Sequence, residues 1–161
     1  HLAALMKNKG QIIALDIYEW KLAELKRRAK RAGAHNIETR FIEDNKVIKR
    51  LHEKADRLLI DAPCSGLGVL KRNPDSKWKI DQDFIDRIKN EQQQILQDYS
   101  KMLKKGGKMV YATCSILPSE NNDQVETFLK NNEGFTLLKE EKVMPSDGFD
   151  GFYMALIQRN A

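Results

Sequence analysis

Cysteine is scarce in this chain, with two among 161 residues, which excludes a disulfide-dense secreted scaffold. Four prolines and nine glycines are too few for a collagen-like or low-complexity chain. Long apolar runs are missing. No stretch approaches the about 18 residues of a membrane helix, and mean hydropathy is −0.59. The sequence opens without the basic, apolar, small-residue order of a signal peptide. There is no internal repeat and no Cys-x-x-Cys, and the three histidines (His1, His35, His52) stand away from the cysteines, which disfavours a metal site. What is present is 41% hydrophobic and 32% charged residues, enough for a packed core and against wholesale disorder. The expectation is one soluble, cytosolic domain over residues 1–161, with free thiols and no membrane segment.

The net charge is +5, unevenly spread. Residues 1–60 carry 14 Lys/Arg against 8 Asp/Glu, and residues 106–161 carry 5 against 8. Lys26, Arg27, Arg28, Lys30 and Arg31 form the densest basic cluster. A basic surface suits a polyanionic partner, nucleic acid or an anionic membrane; the alternative is a solvated helix face.

Short apolar runs alternate with helical stretches. Gln11–Leu15 reads as a strand ending at Asp16. Tyr18–Ala32 follows as a helix with Tyr18, Leu22, Leu25 and Ala29 on one face, stopped at Gly33. Asn36–Ile42 and Ala55–Ile60 read as strands, and Asn45–Leu51 as a short helix. Residues 62–82 read as a long loop, a length that in compact domains tends to be functional. Asp83–Leu103 is the clearest helix, with Phe84, Ile85, Ile88, Ile95, Tyr99, Met102 and Leu103 at spacings of three and four and a stop at Gly106-Gly107. Lys108–Thr113 is a strand, Asn122–Lys130 a helix, and Phe135–Leu138 and Phe152–Ile157 two closing strands around a turn at Ser146–Gly151. This order predicts an α/β fold: a mostly parallel sheet with helices on both faces and an antiparallel strand at one edge.

Such sheets bind ligands at the carboxyl ends of their strands. Asp16, Asp44, Asp61 and Cys114 all fall at or just after strand ends. Cys64 follows Asp61-Ala62-Pro63, and Pro63 fixes the turn before it. Neighbouring strands lie about 4.8 Å apart, so both thiols can face one cleft. The alternative for each is a small buried hydrophobe.

Asp61–Lys79 (DAPCSGLGVLKRNPDSKWK) and Tyr111–Val125 (YATCSILPSENNDQV) closely resemble two motifs of the Nop/Sun family of RNA cytosine carbon-5 methyltransferases. The likeness covers the Pro-Cys turn, the Thr-Cys-Ser strand end and the following Pro-x-Glu-Asn. The stretch Arg72-Asn73-Pro74-Asp75-x-Lys77-Trp78 resembles the bacterial Sun/Fmu branch, which acts on small-subunit ribosomal RNA. Asp147-Gly148-Phe149 with Gly151-Phe152-Tyr153 is similar to the family's closing hairpin, with an insertion. The resemblance runs from about residue 1 to 158.

The resemblance implies a Rossmann-like class I methyltransferase fold and methyl transfer from S-adenosylmethionine to carbon 5 of cytosine. It implies Cys114 as the nucleophile, Cys64 as the residue that helps release the product, and Asp61 on the cytosine edge and near the cofactor. Thiolate addition at carbon 6 makes carbon 5 enamine-like, which explains why a thiol is needed. Asp16 is similar to the acidic residue that binds the cofactor's ribose hydroxyls, and Asp44 to a residue near the adenine; Asp44 also reads as a helix N-cap. Lys71, Arg72, Lys77 and Lys79 follow Cys64 and are expected to hold RNA phosphates. Trp78 either stacks on a base or packs in the core.

The family's first strand and glycine-rich cofactor loop are missing from the sequence. His1–Met6 resembles the helix after that loop, so the chain is expected to begin inside the catalytic domain. A preceding segment or a second chain would then complete the fold. The 161-residue chain alone is expected to bind S-adenosylmethionine weakly. Losing two or three hydrogen bonds to charged groups, at about 1.5–3 kcal/mol each, costs on the order of a hundredfold or more in affinity. Calorimetric titration tests this, and low-micromolar binding would show the loop to be dispensable. Two other functions fit parts of the sequence: a catalytically silent, basic RNA-binding module, and DNA cytosine methylation, which the Thr-Cys-Ser context disfavours.

Overall fold

The computed structural model describes all residues, His1–Ala161, and divides them into two compact units, His1–Arg50 and Leu51–Ala161.

The first unit is a short βαβ arrangement. It contains α1 (Leu2–Leu5), β1 (Ile12–Asp16), α2 (Glu19–Arg31), β2 (Ile37–Phe41) and α3 (Asn45–Lys49). β1 and β2 pair in parallel, Ile12 opposite Ile37 through Asp16 opposite Phe41. A parallel pair needs a crossover, and α2 supplies it. Leu22 is buried and Leu25 and Ala29 are half-buried, as their spacing predicts, while Tyr18 stays exposed. The basic cluster is solvated: Lys26, Arg27, Arg28, Lys30 and Arg31 are exposed or half-exposed, and Glu24 pairs with Arg27 and Arg28.

The second unit holds β3 (Ala55–Asp61), α4 (Gln82–Tyr99), β4 (Leu103–Thr113), α5 (Asn122–Lys130), β5 (Phe135–Val143) and β6 (Phe152–Arg159). Its sheet has the order β3-β4-β6-β5. β3 and β4 are parallel, and β6 runs antiparallel to both β4 and β5. The antiparallel end is therefore a hairpin, with β6 inserted and β5 at the rim. On one face Met109, Tyr111, Tyr153, Ala155 and Ile157 pack with Leu96 of α4 and Val125 and Phe128 of α5. The rings of Tyr111 and Tyr153, and of Phe128 and Phe135, meet edge-on.

Two boundaries differ from the sequence expectation. The helix expected over Asp83–Leu103 ends at Tyr99, a 3₁₀ turn covers Ser100–Met102, and β4 already begins at Leu103. Met102 and Leu103 are both buried, Leu103 in the core that the helix faces, so their side chains continue its apolar periodicity after the backbone has left it. Gly106-Gly107 consequently lies inside a bulge of β4, not at a helix stop. Leu103 and Lys108 oppose Ala55 and Arg57, and Gly106 takes a φ of 73°. β5 extends to Val143, beyond the expected Leu138, because a charged rim strand shows no apolar alternation to read.

Candidate active site

The parallel pairing of β3 and β4 sets Ile60 opposite Tyr111 and Asp61 opposite Ala112. The Ala62 N–H continues the ladder to the Ala112 carbonyl at 2.9 Å. The Pro-Cys turn and the Thr-Cys-Ser strand end thus emerge side by side at the carboxyl end of the sheet.

Two backbone hydrogen bonds stitch three loops there. Gly68 N–H donates to the Cys114 carbonyl at 2.9 Å, and Gly151 N–H donates to the Gly68 carbonyl at 2.8 Å. A Cβ on Gly68 would lie 2.0 Å from the Gly151 oxygen and 2.7 Å from the Cys114 oxygen, so only glycine permits this approach. The closing hairpin is thereby anchored to the loop that carries Cys114.

The two thiols are in contact: Cys64 Sγ lies 3.2 Å from Cys114 Sγ. The Cys64 hydrogen bond is the main cause that lowers the Cys114 pKa, to about 7, against burial and the nearby charge of Asp61. The same hydrogen bond, then burial, pushes the Cys64 thiol up. One sulfur is thus set to be a thiolate and the other its proton-bearing donor.

Beneath the thiols lies a buried polar cage. Glu120 Oε1 accepts from Ser65 Oγ at 2.5 Å and Ser115 Oγ at 2.7 Å. Its Oε2 accepts from Ser65 N–H at 2.7 Å and Gln92 Nε2 at 3.1 Å. Gln92 also donates to the Pro63 carbonyl, and Asn121 joins the Thr113 hydroxyl to the Ser115 carbonyl. Sequence reading gave none of these residues a role. Glu120 and Asn121 lie in the Pro-x-Glu-Asn stretch of the motif, which marks them without showing that they are buried, and the polar Gln92 between the apolar turns of α4 hints at a buried partner.

Asp16 and Asp44 belong to the first unit. Asp16 ends β1; its Oδ1 accepts from Tyr18 N–H at 2.8 Å, and its Oδ2 faces Lys21 Nζ at 3.8 Å. That carboxylate is 27% exposed and keeps acceptor capacity for a pair of vicinal hydroxyls, so it fits a ribose. Asp44 is the N-cap of α3, accepting from Lys46 N–H at 2.8 Å.

Lys71, Arg72, Lys77 and Lys79 are all exposed. Arg72 pairs with Asp150, and Lys77 lies over the Trp78 ring. Trp78 is 80% exposed, which excludes its core-packing alternative. An open cavity of about 420 Å³ is lined by Lys71, Arg72, Gly148, Phe149 and Asp150.

Parallel strands joined through helices, with such groups at their carboxyl ends, belong to the frame of a Rossmann-like methyltransferase, and solved methyltransferase structures share it. The NSun6 protein from Pyrococcus horikoshii, determined with SFG, superposes over 100% of this chain and 44% of its own, with a TM-score of 0.87 and 28% identity. A methyltransferase homologue from the same organism covers 99% of this chain and 56% of its own, with a TM-score of 0.83 and 27% identity. The family model described as 16S rRNA methyltransferase RsmB/F matches residues 1–158, and the chain belongs to that family. The probable ribosomal RNA small subunit methyltransferase B of Bacillus subtilis is 37% identical over 90% of this chain and 33% of its own. The ribosomal RNA small subunit methyltransferase B of Yersinia enterocolitica is 39% identical over 94% and 37%. The chain spans about a third of the length of these curated relatives. The family, together with the relative solved with the cofactor analogue SFG, supports S-adenosylmethionine as the cofactor.

Proposed function

We propose that this protein methylates carbon 5 of a cytosine in RNA, specifically small-subunit ribosomal RNA, in the cytoplasm, through a covalent adduct with Cys114. The observation that carries the reading is the Cys64–Cys114 approach of 3.2 Å at the ends of adjacent parallel strands. S-adenosylmethionine supplies an electrophilic methyl group when bound. Asp16 would hold its ribose hydroxyls, and Asp44, whose second carboxylate oxygen lies 3.5 Å from Lys46 Nζ, would stand near its adenine.

The roles of the chain's own residues follow from their chemistry. Cys114 is a thiolate near neutral pH and adds to carbon 6 of the ring, which breaks aromaticity and loads electron density onto carbon 5. Asp61, exposed beside the thiols, holds the polar edge of the cytosine and supports the shift of charge on the ring. Once the methyl is in place, water takes the proton on carbon 5, the electron pair of that bond re-forms the double bond between carbons 5 and 6, and the carbon–sulfur bond breaks to return Cys114 as a thiolate. Cys64 assists that release, and its hydrogen bond stabilises the departing thiolate. Residues 1–161 act as one catalytic domain.

Lys71, Arg72, Lys77 and Lys79 hold phosphates while the target base is turned into the site. Reversing Arg72 would also set like charges against Asp150, so the cleaner test is the Lys71→Glu/Lys79→Glu pair. RNA affinity is expected to fall, and the salt slope to drop by roughly 0.7 for each phosphate that is no longer neutralised. Filter binding across a salt series measures both, and an unchanged affinity and slope would remove this face from the RNA path. The reading as a whole is tested by nucleoside analysis of RNA methylated in the presence of the protein and labelled S-adenosylmethionine. Label in 5-methylcytidine supports it, and label in another nucleoside refutes it.

A further inference from the structure

Glu120 is fully buried, at 0% exposure, and neutral donors alone surround its carboxylate. Burying an anion without a cation is costly. An apolar side chain would avoid that cost but strand the Ser65 N–H, two hydroxyls and the Gln92 amide without their acceptor, so the residue serves the groups around it and does not merely fill space. Its four hydrogen bonds have a common feature. Two come from Ser65, the neighbour of Cys64, and one from Ser115, the neighbour of Cys114. The fourth comes from Gln92, which also holds the carbonyl of Pro63 on the other side of Cys64. A carboxylate is the side chain that accepts four such bonds without offering a donor.

We propose that Glu120 is the positioning residue of the thiol pair: by clamping Ser65 and Ser115, whose hydroxyls also meet at 3.2 Å, to one carboxylate, it holds Cys64 and Cys114 within hydrogen-bond reach across two loops that are otherwise joined only through backbone hydrogen bonds such as Gly68 N–H to the Cys114 carbonyl. Neighbouring strand ends alone do not set this approach, because each cysteine lies in a turn beyond its ladder. Asn121 contributes by fixing the residues on both sides of Cys114, through Thr113 and Ser115. The Tyr111 hydroxyl donates to the Glu120 carbonyl at 2.8 Å and anchors the clamp to β4.

The inference rests on the function proposed above only for what the thiols do, and its test uses neither RNA nor cofactor, so the two fail separately. Alkylation of the two cysteines by iodoacetamide is followed by mass spectrometry as a function of pH. In the wild-type chain Cys114 reacts well ahead of Cys64. In Glu120→Ala the ratio of the two rates is expected to fall about tenfold, the equivalent of one unit in the Cys114 midpoint, and that midpoint to rise. Glu120→Gln is expected to restore most of the ratio. Its oxygen can accept from Ser65 N–H and Gln92, while its amide faces two hydroxyls that are able to turn and accept. A folded Glu120→Ala chain with the wild-type ratio and midpoint overturns the proposal. If Glu120→Ala does not fold, the Ser65→Ala/Ser115→Ala pair carries the test, since it removes two hydroxyls and keeps the hydrogen bonds from Ser65 N–H and Gln92. A loss of selectivity in that pair supports the clamp, and an unchanged ratio refutes it.

Discussion

Cells expressing the Cys64→Ala protein are expected to accumulate a denaturant-resistant protein–RNA adduct, whereas Cys114→Ala abolishes the adduct altogether. The reasoning starts from the geometry. The sulfurs are 3.2 Å apart, so both reach the same carbon environment, but their surroundings separate their roles. Their shared hydrogen bond lowers Cys114, to about 7, and raises Cys64. The nucleophile must be the sulfur that is a thiolate at working pH. Removing it removes bond formation. Removing Cys64 leaves addition possible and impairs the release step, so the adduct outlives its turnover. Denaturing electrophoresis of RNA-linked protein distinguishes the two variants. The reverse pattern, with Cys114→Ala trapped and Cys64→Ala free, would exchange the two assignments and align the chemistry with the DNA cytosine enzymes.

The second large effect concerns pH. In the wild-type chain, alkylation of Cys114 should be half-maximal near its pKa of about 7. The leading cause of that value is the hydrogen bond from Cys64, so Cys64→Ala should move the midpoint up toward the ordinary thiol value of about 8.5. The sign follows directly: stabilising the thiolate lowers the pH at which it forms, and losing the donor raises it. At pH 7 the thiolate fraction then falls from about one half to a few per cent. Each remaining thiolate is more basic and more nucleophilic, which recovers part of the rate. The variant is therefore slower than wild type near neutrality and faster above about pH 9. Cys64→Ser keeps a donor and should lie between the two. A wild-type midpoint near 8.5, or a midpoint that ignores Cys64, would contradict the account of the pair.

The parts of the fold that the sequence revealed are those where periodicity and burial agree. Leu22, Leu25 and Ala29 on α2, and Ile85, Ile88 and Ile95 on α4, face inward at helical spacing, and the alternation of strands and helices predicted the α/β frame. The start of β4 was hidden because Met102 and Leu103 are both buried, before and after the chain changes conformation. The length of β5 was hidden because Lys139, Glu140, Glu141 and Lys142 face water on a rim strand. At the site, Asp61, Cys64 and Cys114 were legible from strand ends and motif, and the parallel register brings them together. Ser65, Ser115 and Glu120 stand inside the quoted motifs, but their burial and the place of Gln92 among them were not legible, since a buried carboxylate held by neutral donors leaves no hydropathy pattern in a polar stretch of sequence. Asp44 showed the cap that its position before a short helix suggests, and Trp78 showed the exposure that composition alone does not decide.

The central claim is that Cys114 forms the bond to the cytosine that becomes 5-methylcytidine in small-subunit ribosomal RNA. Nucleoside mass spectrometry of that RNA, purified from cells whose own gene for this protein carries Cys114→Ala, tests it most directly. The account predicts the loss of a 5-methylcytidine present in the unedited cells, with the other methylated nucleosides unchanged. Undiminished 5-methylcytidine in the edited cells would contradict it.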